Sequence, residues 1–335
     1  MMLTSIIMGK ALGEFVSITK SFLSEDINII FEIGARYCID TLAFNKLLPK
    51  AKIFTFECNP RTLPVCREAV KNIKNIILIE KAVSDKIGKV KFYPTNPDKT
   101  ITPHKNGNPG ASSLFVVSSK YPKDIIIQDE IEVESIRLKS FLKQNDIKGI
   151  DMLWMDIQGA ELMALRGLGD YLSKVKLIHT EIEFIGMYEE QPLFKEVKRF
   201  LNERNFYLYD FTYISAYFGD AIFINSKILT KKSTFFKLWI TDKFMSFSYK
   251  KYPFQLRERL KIRRIFFVKY VINFILIESP LLIKEYTVLK RNKIYKGWNK
   301  WLLKAVWYTA SKLASFLVLI SKKLLKIFKI LHLGF

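Results

Sequence analysis

Acidic residues stand at the ends of two short apolar runs near the start of the chain. Glu32 precedes Gly34 at the end of the first run, and Glu57 ends the second run 25 residues later. Ligands of open α/β sheets bind outside the carboxyl ends of the strands, where a glycine allows close approach and an acid accepts ribose hydroxyls. The alternatives to a ligand site are that Gly34 only allows a tight strand-to-helix turn and that Glu57 is a solvated acid at a strand end. The three-glycine dinucleotide fingerprint is missing, which weighs against a nicotinamide-dependent dehydrogenase.

A second pair of apolar runs carries candidates for proton transfer. Asp156 follows one run and is succeeded by Gln158 and Glu161, and the next run holds His179 and Glu181. A carboxylate or an imidazole beside a ligand can act as a general base. Glu161 can instead complement the dipole of the helix that it begins, and His179 can be a hydrogen-bonded core residue. The sequence therefore leaves Asp156, Glu161 and His179 as open candidates for the base.

The elements that position these residues alternate between two patterns. The β-rich runs that predict parallel strands lie at 28–33, 52–57, 75–80, 150–155 and 175–181. Helical patterns separate them, which indicates βαβ units in a doubly wound α/β fold with a mostly parallel sheet. Residues 206–225 predict a closing strand pair, and residues 1–25 predict a helix that leads into the first strand. The loop at 94–110 is long enough to suggest a functional role.

The charge of this 335-residue chain divides it into two parts. The net charge is +22, yet residues 230–335 hold 24 Lys and Arg against 4 acids, and residues 1–229 have a net charge of only +2. Balanced charge is typical of an ordinary globular domain, whereas the basic segment attracts an anionic partner. We therefore predict a folded α/β domain over 1–229 and a basic, aromatic-rich helical tail over 230–335.

The tail favours a membrane surface as its partner. Residues 298–331 mix Lys with Trp, Leu and Ile, a pattern typical of an interfacial helix on anionic lipid. Residues 265–283 are apolar, but two charges and a proline interrupt them, so a spanning helix is less favoured. Nucleic acid is an unlikely partner because the tail has 19 Lys and only 5 Arg. We predict docking on an anionic membrane through residues 260–335; an ordinary helical subdomain is the alternative.

The chain is poor in the residues of metal and thiol sites. It has 3 Cys and 3 His, and their spacing matches no zinc site or disulfide framework. We expect reduced thiols and no dedicated metal site, while a carboxylate-bound magnesium stays open. Lys10 and Glu14 interrupt the first apolar stretch, which therefore does not resemble a signal peptide. We expect a cytoplasmic protein, peripheral on the inner face of the membrane, whose oligomeric state is open.

Five motifs, in their order along the chain, resemble those of the FkbM family of methyltransferases. They are Glu32-Ile33-Gly34-Ala35, Phe56-Glu57-Cys58-Asn59-Pro60, Glu80-Lys81-Ala82-Val83-Ser84-Asp85, Gly110-Ala111-Ser112-Ser113-Leu114 and Asp156-Ile157-Gln158-Gly159-Ala160-Glu161. The resemblance covers about residues 28–225. It implies a Rossmann-like class I methyltransferase fold with a seven-stranded sheet. It also implies direct, in-line transfer of a methyl group from S-adenosylmethionine, usually to a hydroxyl oxygen.

The resemblance also implies roles for individual residues. Those expected to bind the cofactor are Glu32, Gly34, Ala35, Arg36, Glu57, Cys58, Asn59 and Ala82. Among them, Glu57 is expected on the ribose and Ala82 near the adenine. Those expected at the transfer site are the base candidates Asp156, Glu161 and His179, with Gln158 and Glu181 at the substrate.

Two motifs depart from the family pattern. Arg36 and Cys38 replace the Asn and the second Gly of Gly-Ala-Asn-x-Gly, and Gln158 replaces the Glu of Asp-x-Glu-Gly. The first departure changes the turn at the cofactor, and the second removes a carboxylate from the transfer site. The leading hypothesis is an O-methyltransferase acting on a small-molecule or glycan hydroxyl. A catalytically weak methyltransferase-like module at a membrane assembly and an RNA methyltransferase are the alternatives.

Overall fold

The computed structural model describes residues 2–23, 27–121 and 124–229, together with Leu238 and Asp242. The helices in these residues are α1 (Met2–Leu23), α2 (Ile39–Leu47), α3 (Leu63–Val70), α4 (Leu138–Gln144), α5 (Glu161–Leu168) and α6 (Phe194–Asn202). The strands are β1 (Ile29–Ile33), β2 (Lys52–Phe56), β3 (Ile76–Ile79), β4 (Ala82–Val83), β5 (Gly88–Phe92), β6 (Ile131–Ile136), β7 (Ile150–Met155), β8 (Val175–Glu183), β9 (Phe206–Ile214) and β10 (Phe218–Asn225). Short 3₁₀ turns occupy Lys105–Gly107, Pro109–Ala111, Gly169–Lys174 and Ser226–Ile228.

Seven strands form one sheet in the order β3-β2-β1-β7-β8-β10-β9. In this sheet the five strands β3, β2, β1, β7 and β8 are parallel to one another, whereas β10 runs antiparallel to both β8 and β9. A smaller sheet has the order β4-β6-β5. The prediction of a doubly wound, mostly parallel, seven-stranded sheet is therefore confirmed. The strand order reverses between β1 and β7, which is the place where a ligand crevice opens in such folds.

Aromatic side chains cover both faces of the central strands. On one face, the Trp154 ring of β7 lies 5.9 Å from Phe15 of α1 and 5.6 Å from Phe44 of α2. On the other face, Phe31 of β1 lies 5.9 Å from Phe141 of α4. All six residues of β7 are buried. Since each fully buried apolar side chain contributes roughly 1.5–3 kcal/mol, these two layers hold the strand ends that carry the polar residues.

Two described residues beyond the predicted boundary at residue 229, Leu238 and Asp242, contact the α/β domain. One compact unit comprises Met1–Phe254. Leu238 belongs to the hydrophobic core, and the buried Asp242 carboxylate lies 2.9 Å from Lys198 Nζ and accepts the Leu208 N–H at 2.9 Å. Two residues assigned to the tail thus pack on the α/β domain. The rest of the tail prediction lies outside the described residues. Within the described ranges, no helix is long and apolar enough to cross a membrane.

Candidate active site

A cavity of about 270 Å³ lies at the carboxyl ends of β1, β2, β7 and β8. One wall comes from a loop that we call the roof loop, residues 94–121. Nine of the thirteen predicted site residues line this cavity: Gly34, Arg36, Glu57, Cys58, Asn59, Ala82, Asp156, Gln158 and Glu181. The other four, Glu32, Ala35, Glu161 and His179, are buried and do not line the cavity. The structure therefore brings most of the predicted residues to one place.

Glu57 is held by three backbone N–H groups. Its Oε2 accepts the Arg36 N–H at 2.6 Å, and its Oε1 accepts those of Cys58 at 2.9 Å and Asn59 at 2.7 Å. Burial raises the pKa of Glu57, and these three hydrogen bonds oppose the shift. The carboxylate is thereby fixed at the cavity wall in a single orientation. Such a group is suited to accept hydrogen bonds from a ligand diol.

The turn after β1 explains why glycine stands at position 34. Gly34 has φ +90°, and a Cβ added there would lie 2.0 Å from the Asp156 carbonyl oxygen. Arg36 and Cys38 have φ +53° and +56°. These are the positions where the family pattern has Asn and Gly, the residues that adopt left-handed φ most easily. The departure therefore keeps the left-handed backbone and places the exposed Arg36 side chain beside Gly110 of the roof loop.

Glu32 and Ala35 support the turn from behind the cavity. The Glu32 carboxyl accepts hydrogen bonds from the hydroxyls of Thr41 and Thr55, the latter at 2.9 Å. Burial, with Asp40 nearby, raises the pKa of Glu32 to about 8. The Ala35 N–H donates to the Phe56 carbonyl at 3.1 Å, which ties the turn to β2. Both residues thus act on the cavity through the backbone that they position.

Gln158 connects the two carboxylates at the transfer side of the cavity. Its Nε2 donates to Asp156 Oδ1 at 2.7 Å and to Glu181 Oε2 at 2.5 Å. Burial, with Asp156 close by, raises the pKa of Glu181. Gln158 has φ +54° and is followed by Gly159 at φ +97°. This tight turn after β7 directs the side-chain amide of Gln158 toward the carboxyl ends of the strands.

Two residues that the sequence analysis missed connect the transfer side of the cavity to the roof loop. The Tyr188 hydroxyl lies 2.9 Å from Gln158 Oε1 and 3.1 Å from the Ala111 carbonyl, so it joins the transfer side to the roof loop. Ser113 Oγ donates to the Gln158 carbonyl at 2.7 Å. Ser113 lies in one of the quoted motifs, which was the only sequence signal. Tyr188 follows β8 in a loop and has no local signal.

His179 lies in the core and does not line the cavity. Its ring stacks on Trp154 at 3.7 Å with an interplanar angle of 3°, and Phe15 packs beside it at 5.3 Å. Its Nε2 is 2.8 Å from Thr212 Oγ1. Burial lowers the pKa of His179 to about 3, so the imidazole is neutral at physiological pH. This placement matches the core-residue alternative and gives a general-base role no support.

Glu161 closes the turn that leads into α5. Its Oε1 accepts the Ile157 N–H at 3.0 Å, and burial raises its pKa to about 7. The carboxyl group lies behind the cavity wall, close to those of Glu181 and Glu183. The position of Glu161 thus agrees with the alternative that it complements the dipole of the helix that it begins. Of the three predicted base candidates, Asp156 alone lines the cavity.

The fold and the residues around the cavity define the class of protein to which this chain belongs. A sheet of this order, with one antiparallel strand inserted next to its edge and a buried acid at the end of β2, is that of a class I methyltransferase that uses S-adenosylmethionine. Residues 32–208 match the model of the methyltransferase FkbM domain, and this chain belongs to that family. The resemblance inferred from the five motifs is therefore confirmed.

Several known proteins are similar to part of this chain. The chain is 31% identical over 180 residues to the 2-O-methyltransferase NoeI of Sinorhizobium fredii, over 51% of this chain and 70% of that protein. It is 26% identical over 153 residues to Methyltransferase 1 of Beauveria bassiana, over 43% of this chain and 60% of that protein. A crystal structure of methyltransferase FkbM from Methylobacillus flagellatus aligns with a TM-score of 0.38 and 10% identity, over 59% of this chain and 44% of that one. The chain thus spans less than two thirds of the latter two proteins.

The groups around the cavity fit S-adenosylmethionine. The ribose diol needs hydrogen-bond acceptors, which the Glu57 carboxylate offers. The adenine needs an apolar surface, which Ala82 and Phe92 offer. The sulfonium and the amino group are positively charged, and Asp156 and Glu181 line the same cavity. Glu57, Ala82 and Phe92 would hold the methyl donor, and the carboxyl groups of Asp156 and Glu181 in the same cavity suit its positive charge.

Proposed function

We propose that this enzyme methylates a hydroxyl oxygen of a sugar, a glycan or a related small metabolite. The observation that carries the proposal is the pair of cavity-lining carboxylates, Asp156 and Glu181, that the Gln158 amide bridges. Carboxyl oxygens accept hydrogen bonds, and a sugar ring presents several hydroxyl donors. The name of the relative NoeI, a 2-O-methyltransferase, supports oxygen as the accepting atom.

Orientation is the main catalytic contribution that we assign to the protein. S-adenosylmethionine would supply an electrophilic methyl group on its sulfonium, whose S–CH3 bond would break to leave S-adenosylhomocysteine. Glu57 holds the ribose, while Glu181 and Gln158 orient the acceptor hydroxyl. Holding reactants in line contributes up to about 7–11 kcal/mol in ideal cases. Asp156 accepts the proton of the hydroxyl, and a general base adds about 10²–10⁴-fold to the rate.

Calorimetry on the full chain tests the cofactor assignment. Wild-type protein is expected to bind S-adenosylmethionine, and Glu57→Ala is expected to bind it at least about tenfold more weakly, because charge-assisted hydrogen bonds to the ribose are lost. Glu80→Ala is the matched control, since Glu80 follows β3 and pairs with Arg67 at the surface. Absence of binding by the folded wild-type protein would contradict the proposal.

Transfer from methyl-labelled S-adenosylmethionine tests the acceptor. The full chain is incubated separately with mono- and oligosaccharides, glycolipids and RNA. Alkali-stable label on a sugar hydroxyl, lost in Asp156→Asn, supports the proposal. Label found on RNA alone contradicts it and favours the RNA methyltransferase. Cofactor binding without transfer to any of the sugar acceptors favours the catalytically weak module instead.

We further propose that residues 260–335 dock the enzyme on an anionic membrane at its cytoplasmic face. The support is compositional: the tail carries almost all of the net positive charge and interleaves Lys with aromatic and aliphatic residues. Co-sedimentation with phosphatidylglycerol vesicles is expected to exceed that with phosphatidylcholine vesicles, and salt is expected to weaken it. Equal binding to both vesicles, or binding to RNA alone, would contradict this proposal.

A further inference from the structure

Three buried glutamates converge behind the transfer side of the cavity. Glu161 begins α5, and Glu181 and Glu183 end β8. One carboxylate oxygen of each lies within 4.8 Å of the other two, and the three residues are 1%, 7% and 1% exposed. They come from two separate elements, so the sheet topology, and not a local sequence motif, assembles them.

The cluster has no cationic partner among the residues that the structure describes. None of the three glutamates forms an ion pair there with a basic residue. Like charges this close in a buried site require either protons or a cation to balance them.

The hydrogen bonds of the three carboxyl groups differ. Gln158 Nε2 donates to Glu181, and the Ile157 N–H donates to Glu161. Glu183 Oε1, in contrast, is buried and has no donor at hydrogen-bonding geometry in the described structure, although the nearby Gln191 side chain interacts with this carboxyl group. An unpaired buried acceptor is unfavourable. A cation bound at the cluster would both satisfy this oxygen and balance the negative charge of the three carboxylates.

We propose that Glu161, Glu181 and Glu183 bind one Mg²⁺ ion. Magnesium prefers oxygen ligands at about 2.0–2.1 Å and keeps several waters, so three carboxylates are sufficient protein ligands. On one octahedral ion, two such oxygens lie about 3.0 Å apart when adjacent and about 4.2 Å apart when opposite. Movements of about 1 Å bring the observed carboxylate oxygens to these separations.

The position of the ion gives it a role in catalysis. Glu181 is shared between the glutamate cluster and the cavity lining. An ion on Glu181 would therefore lie at the wall of the transfer site, where it can lower the pKa of an acceptor hydroxyl as a Lewis acid. This role rests on the proposed methyl transfer to oxygen, whereas metal binding itself does not.

Metal binding is measured directly on the full chain without cofactor or acceptor. After treatment with a chelator, the protein is titrated with Mg²⁺ by calorimetry and with Mn²⁺ by electron paramagnetic resonance of the free ion. One saturable site per chain is expected. Binding should release protons, because the carboxyl groups must ionise to ligate the metal; calorimetry in buffers of different ionisation enthalpy detects this release.

Two variants and a control locate the site. Glu183→Gln and Glu181→Gln are each expected to weaken Mn²⁺ binding at least tenfold, while Glu189→Gln, an exposed glutamate of the following loop, leaves it unchanged. Circular dichroism confirms folding, and Glu181→Gln keeps the test decisive if Glu183→Gln fails to fold. Wild-type protein without saturable binding at millimolar metal overturns the proposal, as does wild-type affinity in a folded cluster variant. Neither result depends on methyl transfer.

Discussion

The side-chain amide of Gln158 donates a hydrogen bond of 2.5 Å to Glu181, and its second hydrogen is directed to Asp156 at 2.7 Å. One amide nitrogen thus serves two carboxylates that line the same cavity. A glutamate at this position has no hydrogen for either of them when it is ionised. The departure from the family pattern therefore creates an interaction that the family's own residue could make only in its protonated form.

Gln158→Glu is expected to move the pH dependence of methyl transfer to higher pH. A third carboxylate between Asp156 and Glu181 raises the pKa values of the group, since like charges disfavour ionisation. The acidic limb of the kcat/KM profile should move up by about 1 pH unit or more, with reduced activity at neutral pH. Steady-state rates between pH 5 and 9 measure the shift. Gln144→Glu, an exposed change on α4, is the matched control. An acidic limb identical to that of the wild type would show that the amide bridge does not control ionisation.

The positions of Glu57 and Asp156 at the strand ends were predictable from the sequence, but the depth of His179 below the cavity was not. Glu57 and Asp156 directly follow buried apolar runs, so their place at the carboxyl edge of a parallel sheet is implied by the pattern. His179 and Glu181 lie on one face of β8, and period-2 alternation cannot separate them. His179 is two residues further from the strand end, about 7 Å deeper, and there it stacks on Trp154. Sequence indicates the face of a strand, whereas packing decides where the cavity begins.

Tyr188 illustrates a contact that local sequence does not encode. Its hydroxyl approaches Ala111, which is 77 residues away, and Gln158, which is 30 residues away. The first contact depends on how the roof loop folds over the strand ends, and the second on how the loop after β8 meets the turn after β7. Residues 94–110 of the roof loop were predicted to be functional from their length and composition, yet their partners follow only from the assembled sheet.

Tyr188→Phe is expected to lower kcat/KM about tenfold and to leave the affinity for S-adenosylmethionine unchanged. The variant keeps the buried ring and removes the hydroxyl that restrains Gln158 and the roof loop, a loss of about 1–1.5 kcal/mol. Steady-state kinetics and calorimetry are measured together. Tyr171→Phe, on the 3₁₀ turn before β8, is the control. A loss of cofactor affinity equal to the loss of kcat/KM would assign Tyr188 to the cofactor instead.

His179→Phe is expected to keep most of the methyl-transfer activity and to change the acid stability of the protein. The folded pKa of His179 is about 3, below its ordinary value of about 6.5, so the unfolded chain binds an extra proton between these values. The stability of the wild type relative to the variant should therefore fall by about 2 kcal/mol between pH 7 and pH 5. Urea unfolding at both pH values measures this difference. His104→Phe, on the exposed roof loop, is the control. Abolished activity in a folded variant would restore His179 as a candidate base.

Gly34→Ala is expected to destabilise the protein far more than Gly88→Ala. Both glycines have a positive φ, +90° and +102°, so both variants carry the roughly 1–2 kcal/mol penalty of a left-handed alanine. A Cβ at Gly34 would also meet the Asp156 carbonyl oxygen at 2.0 Å, whereas a Cβ at Gly88 would meet no atom within 4 Å. Relieving this overlap must separate β1 from β7, which adds about 1–3 kcal/mol. Chemical denaturation of both variants isolates the steric part as their difference. Equal losses would mean that the turn after β1 relaxes freely and that only backbone conformation requires glycine there.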